Sequence, residues 1–316
     1  MNSCLAGYEK MVAVDLLSLR YFQVVARHEH ISRAAAELRV AQPSLSRTIA
    51  RLEAELGVPL FDRQGRQIRL NRFGAAFLAR ITRALAEIDD ARAELADAAG
   101  LAQGTVAVAS ETLLSLTEFL AEFRARHPGV EIQLYQSTAE RMSRQLAARE
   151  VDLCLASQPL RGPALRTVEL FREPVLLAVP PGHALADRHT VSVAELADEP
   201  IVTTRPGYWQ RALTDRLFAA AGLTPKITVQ GDELAAVQYL VSAGIGVGLI
   251  PDMSRRADAH PAVGWVRLDS PDCHRTLRVV WRADAYLSAA GRHFRDSLIA
   301  TADHESRDYH DGPLPR

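Results

Sequence analysis

Cysteine is scarce in this 316-residue chain: Cys4, Cys154 and Cys273 lie far apart with no paired spacing. That excludes a disulfide framework and a cysteine zinc site and fits a reducing compartment. No apolar run approaches the roughly 20 residues of a membrane-spanning helix, and the stretch from Pro174 to Pro180 is strand length. The amino terminus, with Glu9 and Lys10 before a mixed segment, lacks the basic, apolar and small-residue order of a signal peptide, so a cytoplasmic location is expected. Catalytic signatures are missing too: there is no Gly-x-Ser-x-Gly elbow, no His-Glu-x-x-His pair and no phosphate loop ending in Gly-Lys-Ser/Thr. The ten histidines show no ligand spacing. Neither a metal, nor a cofactor, nor an enzymatic activity is expected. Gly244-Ile245-Gly246-Val247-Gly248 falls between an expected helix and strand instead of opening a helix, so it reads as a turn.

With 48% hydrophobic and 24% charged residues the chain has the composition of a globular protein, and its length favours two or more domains. The net charge of −1 hides an asymmetry. Between Arg20 and Arg83 there are twelve arginines and five acids, which leaves the remainder of the chain at −8. No acid lies between Arg63 and Arg83. A basic module joined to an acidic one suggests a polyanion partner for the first, although a solvated face would carry the same charge.

Asp15 is a plausible cap for a first helix whose large residues, Leu16, Leu19 and Phe22, recur at helical spacing. Ser32 is expected to cap a short second helix, Arg33 to Leu38, whose alanines allow close contact. A third helix runs from Gln42 to Glu53 with Leu45, Ile49 and Leu52 on one face and Pro43 in the first turn, where its missing N–H costs nothing. Its other face offers Gln42, Ser44, Ser46, Arg47, Thr48 and Arg51, the short polar and guanidinium groups that base edges and phosphates require. Leu60 to Leu70 reads as a hairpin around Gln64-Gly65 that bears Arg63, Arg66 and Arg69. Together these elements predict a winged helix-turn-helix; a purely structural helical hairpin is the alternative.

The run Leu19-Arg20-Tyr21-Phe22, Ile31-Ser32-Arg33-Ala34-Ala35, Ala41-Gln42-Pro43-Ser44-Leu45-Ser46-Arg47, Leu60-Phe61-Asp62-Arg63 and Leu70-Asn71-Arg72-Phe73-Gly74 resembles the LysR-type transcriptional regulators over about residues 16–300. The resemblance implies a DNA-binding winged helix, a dimerising linker helix and a two-lobed α/β effector domain of periplasmic-binding-protein type. It carries base reading to Gln42, Pro43, Ser46 and Arg47 and wing contacts to the arginines near Arg66. Two positions depart from the family. Ala41 stands where a hydroxyl is usual, so the third helix lacks its side-chain cap, a loss of roughly 1 kcal/mol, and Asn71 replaces a threonine but caps equally well. The first ten residues precede the usual family start, which makes Met11 a candidate initiator.

From Asn71 to about Ala99 the chain has no proline and repeats with a period of seven: Phe77, Ala84, Ala91 and Ala98 on one line, Ile81, Ile88 and Leu95 on the other. Such a helix spans about 40 Å, too long for one small domain to bury. Phe77, Ile81, Ile88 and Leu95 are therefore expected at a homodimer seam, with packing on the chain's own effector domain as the alternative. A dimer, or a homotetramer built from dimers, matches palindromic half-sites on double-stranded DNA.

Beyond Gly104 strand and helix patterns alternate, which predicts a largely parallel sheet covered by helices. The expected division is an extension over 1–14, a DNA-binding domain over 15–72, a linker helix over 73–103, an effector domain over 104–300 and a tail over 301–316. Lobe one is expected to comprise 104–172 and 275–300, and lobe two 173–274; the resemblance supports the two crossings. Ligands of open α/β sheets sit at the carboxyl ends of strands. Those ends offer Ser110, Glu111 and Thr112; Gln136, Ser137 and Thr138; Thr203, Thr204 and Arg205; and Gln230, Gly231 and Asp232. Ser110, Thr112, Ser137, Thr203 and Arg205 are the expected effector contacts, suited to a small anion, while Glu111 opposes a pure anion and is placed to meet an amine. Individually they also read as ordinary caps and turns. Cys154 reads as a small buried apolar residue.

Two function classes remain from the residues: a ligand-responsive transcription factor, or a solute-binding or catalytic α/β protein whose helical amino terminus serves assembly. The missing signal peptide weakens transport, the missing nucleophile and metal motifs weaken catalysis, and the basic module favours DNA.

Overall fold

The structure is a computed structural model that describes residues 14–64, 67–99, 104–113, 116–255 and 262–308. Most of the amino-terminal extension with Cys4 and Met11, Arg66 at the hairpin tip, the connection 100–103 and the end of the tail lie outside the described residues. Two compact units divide between Ala93 and Glu94. Among the described residues no helix is long and apolar enough to cross a membrane.

The first unit holds α1 (Leu16–His28), α2 (Ile31–Leu38), α3 (Gln42–Leu56), β1 (Phe61–Gln64), β2 (Gln67–Leu70) and most of α4 (Arg72–Ala98). Asp15 caps α1, accepting from the Ser18 amide at 2.8 Å. The cap of α2 is His30 rather than Ser32: the helix begins earlier, at Ile31, so Ser32 is already within its first turn, and His30 accepts from the Arg33 amide at 3.4 Å. Ala41 gives α3 no side-chain cap, as its methyl group requires, and Asn71 caps α4 by accepting from the amides of Phe73 and Gly74, both at 2.9 Å. Phe22, Leu45, Ile49, Leu52, Phe61, Ile81 and Leu85 share one core. Phe22 lies 5.4 Å from Phe61 and 5.5 Å from Phe77, ring centre to ring centre. Gly74 lets α4 leave the hairpin closely, since a Cβ there would stand 2.1 Å from the Leu60 carbonyl oxygen.

The second unit contains β3 (Thr105–Ser110), α5 (Thr117–Arg126), β4 (Glu131–Gln136), α6 (Ala139–Ala147), β5 (Leu153–Ala156), β6 (Leu165–Val179), β7 (Thr190–Val191), β8 (Pro200–Thr204), α7 (Trp209–Ala220), β9 (Lys226–Gly231), α8 (Leu234–Ser242), β10 (Gly248–Pro251), β11 (Gly264–Leu268), β12 (His274–Arg282) and α9 (Ala289–Asp308). The sheet is mixed, not largely parallel. β4, β3 and β5 run parallel, whereas β12 pairs antiparallel with both β5 and β6. β6 is one continuous strand shared by both lobes: its first part pairs with β12, its last residues with β10 and β11. β8 and β9 pair in parallel, and Val247 joins β8 to the rest of lobe two, accepting from the Val202 amide at 2.9 Å and donating to the Pro200 carbonyl at 2.8 Å. Separate apolar cores fill the lobes, one around Phe123, Leu153 and Phe294, the other around Leu177, Trp209 and Phe218.

Candidate functional site

The first turn of α3 presents Gln42, Pro43 and Ser44 to solvent together with Arg47, while Ser46 is half-buried. Leu45, Ile49 and Leu52 are buried on the other side and hold the helix to α1 and α2, so its register fixes which side chains face outward. Arg47 makes one contact along its own helix, from Nε to the Pro43 carbonyl at 3.3 Å, which leaves most of the guanidinium's donors available. Arg51 is placed differently. Its guanidinium reaches Asp15 at 3.0 Å and Glu55 at 3.7 Å, so its charge is met within the unit and it ties α3 to the cap of α1. Asp15 is held below the usual carboxylate range, chiefly by the Ser18 amide and hydroxyl, with Arg51 adding to the effect. On the hairpin Arg69 is exposed, Arg63 lies on β1 opposite Ile68, and Arg66 falls outside the described residues.

Along α4 the four seam candidates separate. Phe77 and Ile81 pack into the core of their own unit. Ile88 is half-buried, and Leu95 is 71% exposed. The apolar surface left on this line for another chain is therefore in its second half.

In the effector domain the strand ends do meet. Ser137 donates its amide to the Ser110 carbonyl at 2.9 Å, and Gln136 of lobe one donates to the Asp232 carbonyl of lobe two at 3.0 Å. Of the five expected effector contacts, Ser137 and Thr203 are buried with hydroxyls that have no partner. Ser110 is also buried, but its hydroxyl is engaged in the turn, donating to the Thr112 carbonyl at 2.7 Å. Thr112 is buried beside it. Arg205 stands apart: its side chain is 59% exposed and pairs with Asp232 at 3.0 Å, so the cation expected to match an anion is already compensated.

Beside these strand ends lie four residues that the sequence pattern did not mark as site groups: Ser157, Glu173, Trp209 and Arg275. Glu173 on β6 and Arg275 on β12 are register partners, joined from Nε to Oε1 at 2.7 Å, with side chains almost wholly buried. The guanidinium carbon lies 5.1 Å from the centre of the Trp209 ring. Arg275 Nη1, Trp209 Nε1 and the Thr204 and Ser157 hydroxyls are buried without partners, as are those of Ser137 and Thr203. Every one of these groups can donate a hydrogen bond, and a buried donor left unmatched costs about 1–3 kcal/mol. Glu111, 2% exposed, completes the floor of the cleft. It accepts from the Ser157 amide at 2.8 Å, the Gln158 side chain at 2.9 Å and the Trp209 amide at 3.0 Å. Burial pushes its carboxyl above the usual range, while those bonds and the nearby Arg275 charge pull the other way. The clue available in sequence was Trp209, Leu213 and Leu217 at helical spacing, which marks α7 and its amino terminus.

Comparison with known proteins accords with this architecture. Residues 16–75 match the family described as "Bacterial regulatory helix-turn-helix protein, lysR family", and residues 99–303 match "LysR substrate binding domain". The uncharacterized HTH-type transcriptional regulator YybE of Bacillus subtilis (strain 168) is 32% identical over 89% of this chain and 97% of its own length. The crystal structure of CbnR, a LysR family transcriptional regulator, shares 23% identity and superposes with a TM-score of 0.66 over 92% of this chain and 99% of that one. Full-length CbnR complexed with its target DNA gives 24% identity and a TM-score of 0.65, covering 91% and 100%.

Proposed function

Since the chain belongs to the LysR family of transcriptional regulators, and is a regulator rather than an enzyme, we propose that it binds palindromic promoter sites in the cytoplasm as a homodimer, or as a homotetramer built from two dimers, and responds to a small effector bearing an anionic group. Gln42, Pro43, Ser44, Ser46 and Arg47 read base edges, and Arg63, Arg66 and Arg69 hold the backbone. Arg51 serves the reader by fixing α3 on α1. Ile88 and Leu95 form the part of the seam that joins two chains, while Phe77 and Ile81 set the direction in which α4 leaves the reader core.

One observation carries the effector part: buried, unpartnered donors gather at the strand ends of both lobes, where a ligand with acceptor atoms satisfies them. Ser137, Thr203 and Arg275 are its anchors, and Arg205 with Asp232 lies at the rim. Ligand binding alters output only by favouring one arrangement of the lobes over another. The test is competition anisotropy with the full chain on the DNA upstream of its own gene. Binding at least about 1,000-fold tighter than to random DNA is expected. Equal affinity for both sequences contradicts the reading.

A further inference from the structure

The buried charged residues of the described chain are Glu111, Glu173, Asp252 and Arg275, all in the effector domain. Arg255 meets Asp252 at 2.9 Å. Glu111 and Glu173 are then left with one buried guanidinium, and Arg275 gives its charged contacts to Glu173, with Nη2 also 2.8 Å from the Met253 sulfur. The three donors on Glu111 are an amide, a carboxamide and another amide, none of which brings a net charge. The floor therefore holds two unmet demands: donors that need acceptors, Arg275 Nη1 and Trp209 Nε1 foremost, and the Glu111 carboxyl, whose charged form burial disfavours and which has no cation of its own. A plain carboxylate answers the first and worsens the second, because it brings another negative charge into a desolvated site. A plain amine does the reverse. A molecule carrying both groups answers both and leaves the buried charge unchanged.

We propose that the effector is a small zwitterion, an amino-acid-like molecule whose acid group is taken by Arg275, Trp209 and the Thr203 hydroxyl and whose protonated amine turns toward Glu111. This rests on the cleft being the effector site. Glu111 then sets specificity: it bridges lobe one to the first residue of α7 in lobe two, so the amine is read where the lobes meet. Entry requires the lobes to part at that bridge and at the neighbouring bond from Gln158 to the Gly207 carbonyl, 3.2 Å long.

The experiment is a thermal-shift and calorimetry panel on the full chain with the standard α-amino acids, their β- and ω-amino isomers, and for each the acid lacking the amine and the amine lacking the acid. At least one amino acid is expected to raise the melting temperature where both of its truncated analogues fail. Glu111→Gln is expected to weaken that ligand at least about 10-fold, and Thr203→Val to weaken it as well. The comparison of matched ligands on the wild-type chain stands even if Glu111→Gln folds poorly. A deaminated acid that binds as tightly as its amino counterpart, full affinity in a folded Glu111→Gln, or no response to any member overturns the zwitterion. A binder weakened by Thr203→Val but indifferent to its own amine keeps the cleft and removes only the zwitterion. A binder indifferent to Thr203→Val and Ser137→Ala places the site elsewhere and removes both.

Discussion

Leu95→Ala separates the two halves of the linker line. Full burial of a leucine side chain contributes about 1.5–3 kcal/mol, and Leu95 is 71% exposed in the single chain. A partner that covers it gains about 1–2 kcal/mol per leucine. A two-fold seam covers two of them, or about 2–4 kcal/mol, so Leu95→Ala should weaken dimerisation by roughly 30- to 1,000-fold. Sedimentation across nanomolar to micromolar concentration reads this directly. Ile88→Glu, which puts a carboxylate into the seam, should act in the same direction. Ile81→Ala is the contrast: that side chain is 6% exposed inside the reader core, and its loss should cost about 2–5 kcal/mol of reader stability whatever the association state. If Leu95→Ala and Ile88→Glu leave the mass unchanged throughout, this half of α4 does not pair chains.

Four further outcomes are expected. Arg47→Ala should weaken specific binding by about 1–3 kcal/mol and random binding far less, whereas Arg69→Ala should weaken both evenly and reduce the salt slope by about 1; anisotropy titrations in a salt series distinguish them. Asp97→Ala removes the acceptor for the Tyr286 hydroxyl and the Ala289 amide, both at 2.6 Å, and should cost the effector domain about 1.5–3 kcal/mol in calorimetric unfolding. Burial pushes the Cys273 thiol up to about 12 and raises Cys154 as well, so at pH 8 neither should react with a thiol reagent until the protein unfolds, which mass mapping of the labelled cysteines reads. Because the folded Asp15 carboxyl titrates below its unfolded value, the cap's stabilisation is present above the unfolded pKa and disappears as pH falls through the folded one; Asp15→Asn should lessen that acid sensitivity in pH-dependent melts.

The reader module was legible in sequence because its determinants are local. The Asp15 cap, the Leu45, Ile49 and Leu52 face and the proline at the start of α3 each act within a few residues. The heptad line was visible too, but a period does not say what covers it: Ile81 and Leu95 lie on the same line, and one meets its own reader core while the other meets solvent. In the effector domain the strand ends were found by alternation, whereas the first part of β6 was not. Its mixture of Arg166, Glu169, Arg172, Glu173 and Pro174 looks like a break, and only pairing with β12, more than 90 residues on, makes it a strand. The pair of Glu173 and Arg275 is hidden for the same reason. Arg205 is the converse case, a charge placed by pattern at a strand end whose ion-pair partner, Asp232, arrives from the neighbouring strand end and is not visible in the local sequence.

The most direct test of a two-fold, DNA-reading regulator is a footprint of the full chain on the DNA upstream of its own gene, with wild type and Arg47→Ala side by side. Wild type should protect two related half-sites whose centres are about 10 base pairs apart, or a multiple of that, and Arg47→Ala should lose both together. Protection spread evenly along the fragment, or an identical pattern from Arg47→Ala, contradicts the account.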